Sequence, residues 1–193
     1  VFPPDEGTDQ WDGDAMLFDP RVLETPVDLA GVTNSSIRLG VRDDDAWAPH
    51  LWGERILFWA AYAPYILSSG DAGYRSALLN TLARGARHIE ANADKAPLGL
   101  KRITAWCGVV AAGLLVQGGV PRVARGEAGL ARTLAAAQFD DGGRVSRSPF
   151  EQMLLADRLG LLRSCYFAAK QTIPDGIEAA SAAALAAFHG VTM

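Results

Sequence analysis

Between residues 140 and 152 the chain concentrates groups able to do chemistry on an acidic molecule: Asp140-Asp141-Gly142-Gly143-Arg144-Val145-Ser146-Arg147-Ser148-Pro149, then Phe150, Glu151 and Gln152. Arg144 and Arg147 form one basic cluster and Lys101 with Arg102 a second. Guanidinium and ammonium groups hold carboxylate or sulfate oxygens through charge-assisted hydrogen bonds. A partly buried Glu151 suits a general base, and the Gln152 amide suits a carboxylate. Trp47 offers a flat ring on which a pyranose can stack. Arg144 and Glu151 are therefore the candidates for catalysis, and Lys101, Arg102, Arg147, Gln152 and Trp47 the candidates for substrate binding.

The same residues suit plainer roles. Lys101 and Arg102 stand near a helix start, where solvated cations are common. Arg144 and Arg147 flank a turn and can pair with Asp140, Asp141 or Glu151. Glu151 also fits the first turn of a helix that begins at Ser148 with Pro149 at its first position. Trp52, Trp59 and Tyr62 share a helical spacing suited to a core.

The elements that must position these groups read as helices. From Asp43 onward, apolar runs of helical length alternate with breaks near Ser69-Gly70-Asp71, Ala96-Pro97-Leu98-Gly99, Gly118-Gly119-Val120-Pro121, Asp140 to Gly143 and Pro174-Asp175-Gly176. Helices of such length joined by short turns pack antiparallel. Leu78, Leu82, Ala86 and Ile89 mark one helical face, and Leu155, Leu159, Leu162, Tyr166 and Ala169 another. Ile103 to Val116 is apolar nearly all round and predicts an inner helix. Residues 1–42, with four prolines, sustain no helical period and read as an extended, irregular N-terminal arm before a helical domain over 43–193. The pattern suits a bundle, a solenoid or a ring of paired helices.

The Asp-Gly-Gly turn followed by Ser148-Pro149 resembles a signature of the heparinase II/III family, polysaccharide lyases that cleave acidic sugars. Trp47-Ala48-Pro49, the run Ile56 to Leu67, Arg87-His88, Leu100 to Thr104 and Gly113-Leu114 are also similar to a bacterial subgroup of that family. The resemblance implies an all-α fold, an incomplete α/α toroid of antiparallel helices, and a chain that is a fragment preceding a C-terminal β-domain. It implies β-elimination of, or binding to, a uronate-containing polysaccharide, and a periplasmic setting. The chain departs from the pattern at three places. Arg144 stands where the family has a turn histidine, Glu151-Gln152 where it has a Tyr-His pair, and Leu100-Lys101 where it has an Asn-His pair. A relative that keeps the fold as a carbohydrate-binding scaffold is the alternative these departures imply.

Other classes leave no sign in the sequence. His50, His88 and His189 form no metal motif, and no nucleotide-binding or zinc pattern points to a cofactor. Residues 1–50 hold eleven Asp/Glu against three Arg, a net −8, whereas the remainder carries +4. The overall −4 and scattered arginines argue against nucleic acid, while a mildly basic body suits an acidic ligand. The longest nearly uninterrupted apolar run, Ala105 to Val116, is too short to span a bilayer. No basic-then-apolar leader opens the sequence. Cys107 and Cys165, each in an apolar run, are expected as buried free thiols.

Overall fold

A computed structural model describes residues 47–66, 68, 72–116, 118–139 and 141–192. The arm expected over residues 1–42 lies outside the described residues. Every regular element described is helical: α1 (Pro49–Ala61), α2 (Ala63–Ile66), α3 (Ala72–Asn92), a 3-10 turn (Ala93–Lys95), α4 (Leu100–Leu115), α5 (Val120–Ala137), α6 (Pro149–Ala168) and α7 (Asp175–Thr192). Of the glycine and proline breaks read from the sequence, those among the described residues fall between these helices or in their first turns. A proline stands in the first turn of α1, α5 and α6, where its missing N–H costs nothing.

The chain divides into two compact units, Val1–Asp43 with Ser69–Thr81, and Asp44–Ser68 with Leu82–Met193. The described part of the first is the opening of α3, in which Thr81 Oγ1 donates to Ala77 O at 2.9 Å. The second unit holds the hydrophobic core and every candidate residue named above.

In that second unit α4 is the inner helix, buried continuously from Ile103 to Gly113. Helices α1, α5 and α6 pack on it, and α7 packs on α6. Trp106, Tyr166, Ile103, Leu155, Leu159 and Leu162 are fully buried. Removing each such side chain from water contributes about 1.5–3 kcal/mol. Ala86 and Ile89 of α3 are buried as well.

The register of two helix pairs is explicit. Gly113 approaches Gly119 and Val123, Gly126 approaches Val110, and Gly129 approaches Trp106, so α4 and α5 run antiparallel. Gln152 reaches Ala184 near one end of α6, and Arg163 reaches Glu178 toward the other, so α6 and α7 are antiparallel too. Arg158 joins α6 to α1 by an ion pair with Glu54 and also pairs with Asp157.

Cys107 and Cys165 are free and buried. Burial pushes the Cys107 thiol up to about 12 and the Cys165 thiol up to about 11, so both remain protonated at neutral pH.

Candidate functional site

The segment between α5 and α6 forms a tight loop. Gln138 and Arg144 make an isolated antiparallel bridge, with Phe139 N donating to Gly143 O at 2.8 Å and Val145 N to Ala137 O at 3.2 Å. Gly142 adopts φ 84°, and a Cβ there would meet Ala183 O of α7 at 2.3 Å, so the loop tip requires glycine. Asp141 Oδ1 accepts from Gly143 N at 2.9 Å. One oxygen of this carboxylate holds the turn, and the pairing of Arg144 with Asp141 does not form. Asp140 lies outside the described residues.

The loop delivers Arg144 inward. Its side chain is only 2% exposed, and Nη2 meets Glu151 Oε2 at 3.3 Å. Nε and Nη1 are buried without a hydrogen-bond partner among the described residues. A buried guanidinium with one long ion pair is underpaired, and orphaned donors of this kind cost about 1–3 kcal/mol each. Burial pulls the Arg144 pKa down and the Glu151 carboxylate opposes that shift.

Glu151 occupies the first turn of α6, as expected. Ser148 is the N-cap and accepts from Glu151 N at 3.3 Å. The carboxylate also accepts from Ser146 Oγ at 2.7 Å, on the same Oε2 that faces Arg144.

Lys101, Arg144 and Glu151 come together. With Pro97, Gly99 and Ser146 they line a cavity of about 410 Å³ at the start of α4. Gly99 is the α4 N-cap at φ 108°, has no side-chain cap, and is followed by a first turn without an acidic residue. The positive end of the helix dipole therefore points toward the cavity's cations with no carboxylate of its own helix to offset it. Lys101 is exposed and has no ion-pair partner among the described residues.

Arg144 also forms part of the wall of a second cavity of about 410 Å³, lined by Phe139, Asp141, Arg147, Ser148, Pro149 and Gln152 among others. Arg147 is exposed and holds a left-handed φ of 53°, a conformation unusual for a side chain with a Cβ. One buried guanidinium thus stands between two recesses, with Lys101 on one side and Arg147 on the other.

Other candidates sit differently. Gln152 is buried, and its Nε2 donates to Gly142 O at 3.0 Å and Ala184 O at 2.8 Å. Both amide hydrogens are spent, leaving only Oε1, which is buried and unpartnered. Gln152 therefore cannot donate to a ligand carboxylate while it holds the loop. Arg102 Nε donates to Ala96 O at 2.8 Å and ties down the turn before α4. Trp47 packs on Trp52 and edge-to-face on His88, each at 5.1 Å. His88 Nε2 also lies 2.7 Å from Trp47 O. Neither Trp47 nor Arg102 lines either cavity.

Three groups near the cavities escaped the sequence reading. Phe139 lines the second cavity and is half exposed. Ser146 orients Glu151. His50 is close enough to Lys101 to be affected by its charge: burial first, then Lys101, lower its pKa, and Glu54 opposes. Among the described residues no cluster of histidine, cysteine and carboxylate side chains is arranged to hold a metal, and no helix is long and apolar enough to cross a membrane.

Comparison with protein families, with curated proteins and with solved structures finds no match to this chain.

Proposed function

We propose that this chain binds an acidic, uronate-containing polysaccharide, with its helices arranged as the incomplete α/α toroid of a heparinase II/III-like protein. The observation that carries the reading is the convergence of Lys101 and Arg144 on one cavity at the uncapped start of α4. A carboxylate or sulfate placed there meets two cations and a helix N-terminus together, which is a strong setting for an anion. Arg147 and Phe139 in the adjoining recess supply a further cation and an apolar ring for the next part of a sugar chain.

A second reading is β-elimination. Among the described residues Glu151 is the one carboxylate lining the cavity with Lys101, and its side chain is about one-third exposed (36%). In that reaction Glu151 takes the proton beside the uronate carboxyl, Lys101 and Arg144 stabilise the charge that develops on the carboxyl oxygens, and the glycosidic C–O bond breaks as its oxygen takes a proton from solvent water. The contacts from Arg144 and Ser146 to Oε2 weigh against it, because the carboxylate must leave both partners before it can reach a substrate proton.

An ultraviolet absorbance assay for unsaturated uronate, run beside a binding titration on polygalacturonate, alginate and heparan sulfate, separates the readings. Binding without absorbance is the expected result. Rising absorbance establishes elimination. Absence of both signals overturns the polysaccharide function.

A further inference from the structure

The Glu151 carboxylate holds the place that a ligand anion needs. Arg144 is enclosed on nearly all sides, and its charge partner among the described residues is a carboxylate that lines the Lys101 cavity. Glu151 is much the more exposed of the two, and its ion pair is long at 3.3 Å. Both of its side-chain contacts, to Arg144 and Ser146, converge on Oε2. Gly99, whose missing side chain leaves room for Arg144 Nη2, lines the same cavity. A ligand anion in the cavity therefore competes with the Glu151 carboxylate for Arg144 Nη2.

We infer that Glu151 is a resident counterion that caps Arg144 in the free protein and is displaced by the ligand's carboxylate or sulfate, so that it sets affinity by competition. The inference rests on the proposed anion-binding role of this cavity. Ser146 is the latch, holding Oε2 against Arg144 by donating its hydroxyl. Glu151 begins α6 on the cavity side, and a change of its side-chain torsions frees Arg144 without moving the helix. Ligand affinity is then reduced by the fraction of molecules in which the carboxylate occupies Arg144.

The test is titration calorimetry with inorganic sulfate and with digalacturonate on the wild-type chain, Glu151→Gln and Ser146→Ala. Glu151→Gln is expected to bind both probes about tenfold more tightly, as for a site capped nine-tenths of the time. Ser146→Ala, which leaves the ion pair in place, is expected to tighten binding about two- to threefold by weakening the latch. A structural or catalytic role for Glu151 produces no such gain. If wild type binds and both variants bind equally or more weakly, the counterion inference is overturned while the anion site stands. If no form binds either probe, the anion site itself is wrong and the inference falls with it. Should Glu151→Gln fail to fold, the Ser146→Ala titration alone decides.

Discussion

Gly99 leaves open the space beside Arg144: a Cβ built on Gly99 would lie 3.2 Å from Arg144 Nη2. This approach joins the N-terminus of the inner helix to the loop that carries the buried cation. Because Gly99 also holds φ 108°, its replacement meets backbone strain and crowding together. Gly99→Ala should destabilise the fold by about 1–3 kcal/mol, measured by urea denaturation. It should also weaken anion binding, since the displaced guanidinium is the group that binds.

Gly53 and Gly108 mark the point where α1 crosses α4. A Cβ on Gly108 would come within 2.4 Å of Gly53 Cα, and one on Gly53 within 2.4 Å of Thr104 O. Gly108→Ala should cost about 2 kcal/mol or more through forced separation of the helices. Gly160→Ala on α6, where a Cβ meets nothing within 4 Å, should stabilise by up to about 1 kcal/mol. Opposite signs in the two denaturation midpoints check the packing.

Gln152 pins the loop to α7. Gln152→Leu removes both donations from Nε2, leaves the Ala184 carbonyl without that donor, and should cost about 2 kcal/mol. Gln152→Glu should cost more at neutral pH, because a carboxylate oxygen then faces two carbonyls. Equal stability of wild type and Gln152→Glu by thermal melting contradicts this placement.

The two thiols predict a pH dependence. Their folded values of about 12 and about 11 exceed the ordinary 9.0, so the native state holds its protons longer than the unfolded chain. The sign follows from linkage: this contribution to stability is complete below pH 9 and is lost as pH rises toward 11 and 12. Replacing both cysteines with alanine should flatten the alkaline limb of the stability curve. A thiol reagent at pH 8 should label the native protein only at the rate of unfolding.

The helices were largely legible because their signals are local. Pro149 after Ser148 marks the start of α6, and the all-round apolar run over Ile103 to Val116 anticipates the buried α4. The meeting of Lys101, Arg144 and Glu151 at one cavity is not encoded in any periodicity. Which of them is buried was not legible. Arg144 reads as a surface cation until the bridge from Gln138 turns it inward, and Gln152 reads as a free amide until Ala184 arrives from thirty-two residues away. Trp47 reads as a sugar platform, and the structure packs it against Trp52 and, edge-to-face, against His88. These contacts depend on distant helices, and no local pattern encodes them.

The most direct test of an acidic-sugar site at the start of α4 is titration calorimetry of the wild-type chain and Lys101→Ala with a galacturonate oligomer. Lys101 is exposed, so its removal leaves the fold intact. The account predicts measurable binding by wild type that weakens as salt rises from ~20 to ~150 mM, and a several-fold loss in Lys101→Ala. Absence of binding by wild type, or equal affinity in the two proteins, contradicts it.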